Sequence, residues 1–221
     1  MVHRHPDNTI LAEYAAGSLS LAPTISVTTH LQYCDQCEHE VDTLARIGGE
    51  ILAQEGIATL SDGLFDSVLA RIDSGPSNTE KRTPRASEDP NGLRQSLPRY
   101  VQKFLPAEQL DWRFLSPSLK VSSISVGDAA HELALHRIAA GGKAPQHDHR
   151  GQEITVVLTG SFSDEDGVYQ PGDFIVRSPG DVHRPIAAQN EECICLSVLA
   201  APIKLTGLKR AFNPFLRFSP G

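Results

Sequence analysis

Apolar residues recur at helical spacing through the first third of the chain, and short apolar runs separated by turn residues fill the second half. The 3.6-residue period spans residues 8–19 and residues 23–55; the first stretch ends near Gly17 and the second loosens at Gly48 and Gly49. A third helix is expected from Leu64 to Ile72, with Ser61 or Asp62 placed to cap it. Ser74 to Ser96 is rich in Pro, Ser, Asn, Gly and charge. It reads as a linker with few contacts to couple what lies on either side. Pro98 to Leu105, apolar at Tyr100, Val101, Phe104 and Leu105, suits one more short helix that starts with proline. From Trp112 onward the pattern turns to strands: Val121 to Val126, Glu132 to Ile138, Ile154 to Leu158, Phe174 to Val176 and Cys193 to Leu199. Asp166-Gly167 is a hairpin signal, and strands at this spacing predict a β-sandwich or barrel.

The expected fold class is therefore multidomain, an all-α N-terminal part followed by an all-β barrel. A chain of 221 residues with 40% apolar and 21% charged content is ordinary for a globular protein of that size. Met1 to Asn8 is polar, and no apolar run approaches the ~20 residues that span a bilayer, so neither export nor anchoring is expected. Four cysteines are too few for a disulfide scaffold and point to a reducing, cytoplasmic setting. The net charge of −7 argues against nucleic acid as a direct ligand. Residues 1–73 hold eleven Asp and Glu against three Lys and Arg, so the acidity lies in the helical part. Such a face suits the basic surface of a partner protein, and suits solvent equally.

Within that helical part, His30-Leu31-Gln32-Tyr33-Cys34-Asp35-Gln36-Cys37 reads H-x-x-x-C-x-x-C. On a continuous helix, at about 100° per residue, Cys34 and Cys37 lie roughly 40° and 20° around from His30, so all three side chains leave one face. One imidazole and two thiolates suit tetrahedral zinc lacking a fourth ligand. His39, two residues past Cys37, lies roughly 200° around from it on that helix, on the wrong face. The N-terminal segment, with His3 and His5, is the better source.

The β-rich half carries a second constellation, Gly141-x5-His147-x-His149-x3-Glu153-x6-Gly160, followed by Gly172-x5-Ser178-Pro179-Gly180-x2-His183. His147 and His149 face the same side of an extended segment, and Glu153 and His183 can converge on it. Three imidazoles and one carboxylate suit Zn, Fe, Mn, Ni or Cu as divalent ions. Cys193 and Cys195 share one face of a late strand, where packing is the default and a redox pair the alternative; a direct disulfide between them would strain the strand. His131 and His136 read as ordinary strand residues.

Thr9 to Leu19 (TILAEYAAGSL), with His5 upstream and the His30/Cys34/Cys37 motif downstream, resembles the zinc-binding anti-sigma domain of bacterial regulators. The second constellation resembles the cupin motifs, with Ser178 where the family has Pro and Ala187 where it has Asn. Together they resemble the ChrR anti-sigma factors. That resemblance implies a zinc-binding anti-sigma domain over 1–105, including the linker and the helix at 98–105, and a cupin domain over 106–221. It implies zinc on His5, His30, Cys34 and Cys37, with His3, separated from His5 by a single residue, as the alternative to it, and a second divalent metal, zinc foremost, on His147, His149, Glu153 and His183. It further implies a sigma factor of the extracytoplasmic-function type as partner, held inactive in the cytoplasm and released on singlet oxygen or related oxidative stress. The competing reading is a metal-dependent cupin oxygenase or isomerase acting on a small molecule. No nucleophile–base pair and no helix-turn-helix is legible, so neither hydrolysis nor direct DNA binding gains support.

Overall fold

The computed structural model describes residues 2–56, 59–74, 93–106, 110–207, 210–211, 213 and 218–221. Helices come first: α1 (Asn8–Ala15), α2 (Leu21–Leu31), α3 (Asp35–Gln54), α4 (Leu64–Asp73), α5 (Leu93–Ser96) and α6 (Arg99–Gln102). Strands follow: β1 (Arg113–Ser116), β2 (Leu119–Ile124), β3 (Glu132–Ile138), β4 (His147–Asp148), β5 (Glu153–Thr159), β6 (Phe162–Asp164), β7 (Gly167–Tyr169), β8 (Phe174–Arg177), β9 (Ile186–Ala187), β10 (Cys193–Leu199) and β11 (Lys204–Leu205). Six strands form one antiparallel sheet in the order β1-β2-β3-β10-β5-β8, and the sheets β7-β6-β9 and β11-β4 complete the barrel.

Strand β10 is apolar at every position but Ser197 because both of its faces are buried. Its odd-numbered residues Cys193 and Cys195 join Val121, Ala134, Ile138, Val157 and Ile175 on the inner face. Its even-numbered Ile194, Leu196 and Val198 join Leu133, Leu135, Ile154, Val156 and Phe174 on the outer face. The inner face lines a cavity of about 400 Å³. The outer face is covered by α2, whose Ile25 and Val27 are fully buried, each worth about 2–3 kcal/mol. Hydroxyls buried along α2 turn back onto its own carbonyls, Ser26 to Ala22 at 3.4 Å and Thr29 to Ile25 at 2.7 Å, which satisfies them without a partner from the sheet.

The two parts are therefore in contact through α2 as well as joined by the chain between them. Residues 75–92 of the expected linker lie outside the described residues. Its last four, Leu93–Ser96, form α5, where Arg94 donates to the carbonyls of Gln102 at 3.1 Å and Pro106 at 2.9 Å and so staples α5 to the end of α6. Leu97, Val101 and Leu105 then enter the core that α2 shares with the sheet. Pro98 is the residue before α6 and not its first turn, and that helix stops at Gln102.

Other differences are local. The metal motif does not sit inside one helix: the chain breaks between α2 and α3 at Gln32 and Tyr33, whose amides turn back to Thr29 and His30. Gly48 and Gly49 do not loosen α3, which runs on to Gln54 because Leu, Ala and Glu around them favour helix. Neither Ser61 nor Asp62 caps α4 with its side chain; Gly63, at φ 80°, takes the cap position in a left-handed conformation that glycine adopts freely. His131 precedes β3 and is not in a strand.

The start of α2 is tied to the barrel by Asp128. Its Oδ2 accepts the Ala22 amide at 2.9 Å, where the helix dipole favours an anion, and its Oδ1 accepts the amides of Ala130 and His131. Burial pushes the Asp128 carboxyl upward, but these hydrogen bonds and the one with His131 outweigh it and hold the group at about 2. Asp128→Ala is expected to cost about 2–3 kcal/mol in chemical denaturation. Because the folded state lowers this carboxyl, the stabilisation is complete above about pH 4 and lost as pH falls toward 2, a loss the variant will not show.

Candidate metal centres

The N-terminal cluster is assembled from three different elements. His5 comes from the extended arm before α1, His30 from the last turn of α2, and Cys34 and Cys37 from the cap and first turn of α3. Cys34 adopts an extended conformation as N-cap, and its Sγ accepts the Cys37 amide at 3.5 Å. One donor atom from each of the four residues lies within 4.8 Å of the others. The ligands therefore converge through a break between helices, not along one helix face. His5 belongs to this cluster, its Nδ1 standing 3.3 Å from Cys34 Sγ and 3.4 Å from Cys37 Sγ; His3 instead uses its backbone amide to reach Asp173.

The donor set fits a thiophilic cation. His30 Nδ1 meets the Gly172 carbonyl at 2.7 Å and so carries the proton. Its Nε2 is left as a bare lone pair, buried and without a hydrogen-bond partner. Such an orphan costs about 1–3 kcal/mol unless something electrophilic meets it. Burial first, and then Cys34, push the Cys37 thiol up to about 12, so at neutral pH a bound cation is what would make it a thiolate.

The barrel cluster brings His147, His149, Glu153 and His183 together, again within 4.8 Å. His147 and His183 exchange backbone hydrogen bonds at 3.1 Å in both directions, which sets their side chains next to each other. Asp148 Oδ1 accepts the amides of His149 and Gly180 and ties the two motif segments together. Every imidazole donates from Nδ1: His147 to the Pro145 carbonyl, His149 to the Asp181 carbonyl and His183 to Asp164 Oδ2, each at 2.9 Å. Three Nε2 atoms are thereby turned inward; those of His147 and His183 are 3.1 Å apart with no proton to share, while that of His149 donates to Glu153, which raises this imidazole against its burial. Glu153 completes the set, with Oε2 at 2.6 Å from His149 Nε2 and Oε1 accepting from Ser197 at 2.8 Å. Burial raises the Glu153 carboxyl, but His147 and His149 outweigh it and keep the group a carboxylate. Lone pairs facing one point around a carboxylate are what a divalent cation requires.

Several residues of this centre were not legible as such. Asp164, whose side chain is fully enclosed, orients His183 and is held far below the usual carboxylate range: burial opposes this, and His183, the Asp166 amide and Arg177 override it. Its position in the Asp166-Gly167 hairpin, two residues before the turn, was the only signal. His136 lies in β3, as expected, and is not one of the four clustered donors. It faces the same cavity as His147, Glu153 and His183, and burial lowers it, despite Glu153, so that it stays neutral. Cys193 and Cys195 both point inward, with Sγ atoms 3.6 Å apart; the bond to Cys193, then burial, push Cys195 far upward and leave it a thiol. Ala187, in place of the expected Asn, packs in the inner apolar cluster.

Comparison with known proteins covers both halves. Residues 102–201 match the family described as the ChrR Cupin-like domain. The chain is 32% identical over 217 residues to the Anti-sigma-E factor ChrR of Cereibacter sphaeroides, a match covering 98% of this chain and 99% of that protein. The crystal structure of Rhodobacter sphaeroides SigE in complex with the anti-sigma ChrR is similar with a TM-score of 0.75 at 28% identity, covering 90% of this chain and 100% of the matched one.

The two donor sets share no residue and no element, so each is expected to hold an ion of its own. Metal analysis of the purified chain should give two ions per molecule. Cys34→Ser should remove the first alone and His147→Ala the second alone; one ion lost together with the other would contradict separate centres.

Proposed function

The chain belongs to the family of ChrR anti-sigma factors, and on that premise we propose that its helical part sequesters a sigma factor of the extracytoplasmic-function type and releases it when the barrel registers oxidative stress such as singlet oxygen. The observation that carries this reading is an uncovered apolar face. In α4, Phe65, Val68, Leu69 and Ile72 fall at helical spacing on one side, between 42% and 73% exposed, and no residue of that helix is buried. The second half of α3 exposes Ile47, Ile51 and Leu52 in the same way. Apolar area of this extent on an amphipathic helix is explained by a protein partner. The acidic balance of residues 1–73 complements a partner whose own surface is basic enough to bind DNA.

Zinc at His5, His30, Cys34 and Cys37 would supply a four-way crosslink between the arm, α2 and α3, holding α3 at the angle that presents this face. A second divalent metal, zinc foremost, is proposed on His147, His149, Glu153 and His183, of which His147, Glu153 and His183 line the cavity. We place the protein in the cytoplasm, where the partner and reduced thiols are found; no helix among the described residues is long and apolar enough to cross a membrane. The oxygenase or isomerase alternative loses its footing, because the relative matched over nearly the whole chain is a regulator.

Since α4 contributes nothing to the core, Phe65→Asp with Leu69→Asp should weaken binding of the cognate sigma factor by at least a hundredfold, with circular dichroism and metal content unchanged. Unaltered affinity would remove α4 from the docking surface. Glu153→Ala should keep the sigma factor bound and fail to release it under illumination with a photosensitiser; normal release would take the barrel out of the sensing role.

A further inference from the structure

Six residues, Tyr169 to Phe174, close β7, turn and open β8, and they touch both metal centres. At one end the Tyr169 hydroxyl donates to Asp164 Oδ1 at 3.0 Å and accepts from Arg177 at 2.9 Å, while the other oxygen of Asp164 holds the ligand His183. At the other end the Gly172 carbonyl holds the ligand His30. Asp173, fully buried, gathers three amides: His3 at 2.7 Å and Arg4 at 3.0 Å on Oδ1, Gln170 at 2.8 Å on Oδ2. Two of those belong to the arm that delivers His5, and the Phe174 amide fixes the same arm by donating to the Arg4 carbonyl at 2.9 Å. The turn has no slack. Gly172 sits at φ 93°, and a Cβ there would stand 2.5 Å from Tyr33 Cβ and 2.7 Å from Val2.

We propose that Gly172 and Asp173 are positioning residues for the N-terminal centre, and that the segment Tyr169–Asp173 makes metal retention there depend on the barrel site. A filled barrel site fixes His183, His183 fixes Asp164, and Asp164 fixes the Tyr169 hydroxyl from which the turn departs. The turn then presents one carbonyl to His30 and one carboxylate to the arm bearing His5, which sets both imidazoles for the cation. Emptying the barrel frees the Asp164 end of this chain of contacts and loosens its far end. The inference rests on reading both clusters as metal centres; it does not use the sigma factor, so its outcome and that of the docking prediction are separable.

The test measures zinc release from the full chain into a chromophoric chelator, the N-terminal phase being the one that Cys34→Ser abolishes. His147→Ala, whose ligand lies outside the segment, is expected to speed that phase about tenfold, within the range of effects reported for groups that orient metal ligands. Asp173→Asn should speed it to a similar degree, and the double variant should be no faster than Asp173→Asn alone. Asp128→Asn, altering a carboxylate that also ties the helices to the barrel but holds no ligand, should leave the rate within twofold. With cobalt in the N-terminal site, the thiolate charge-transfer band should shift in Asp173→Asn and stay in place in Asp128→Asn. Stripping the barrel metal from the unsubstituted chain gives the same comparison should His147→Ala fail to fold. An N-terminal rate insensitive to the barrel metal, additive effects in the double variant, or equal acceleration by Asp128→Asn would each overturn the proposal.

Discussion

The outer face of the six-stranded sheet is the constraint on which the rest of the structure depends. Ile194, Leu196, Val198, Leu133, Leu135, Ile154 and Val156 form an apolar surface that a barrel standing alone would leave in water. Helix α2 covers it, and in doing so becomes buried on both sides, between the sheet and the other helices. From that placement follow the position of His30 against Gly172, the seating of the first residues against β8, and the need for Asp128 at the helix start. The two halves are distinct in secondary structure and continuous in packing.

The two metal centres solve the same problem with different chemistry. In the barrel, three Nδ1 atoms are engaged by two carbonyls and a carboxylate, which fixes every ring and turns all three Nε2 atoms inward. In the helical part only His30 is fixed in this way, and the other side chains of the cluster depend on a helix break and an extended arm for their approach. A rigid cage of hard and borderline donors thus sits beside a softer cage whose geometry is borrowed from its neighbours.

Much of this was legible from residue types at fixed spacing. Seven of the eight clustered side chains were nameable because a metal centre needs particular atoms, His5 came from the family resemblance and not from the residues, and the strand from Cys193 to Leu199 was read residue for residue. What periodicity misjudged were the places where long-range packing prevails over local preference. The single-face helix through Cys34 and Cys37 was mistaken because a cap residue and a helical residue look alike in spacing. The continuous apolar run of β10 already meant two covered faces, yet nothing local identified α2 as the cover. Of the short strands β6 and β7 only the turn between them was legible, and Asp164, which orients His183, was hidden in β6. Asp173 carried no signal at all, since its three partners are backbone amides.

Strand β8 is the last strand of its sheet, and an outermost strand carries unpaired amides and carbonyls that invite a neighbouring chain to add on. Here the arm before α1 lies along its beginning, and the same arm ends in His5. A cation that gathers His5 would therefore also fasten a cover over an open sheet edge. Its loss would do more than slacken a helical bundle: it would uncover a seam along which copies can stitch together, so the metal would guard solubility as well as shape.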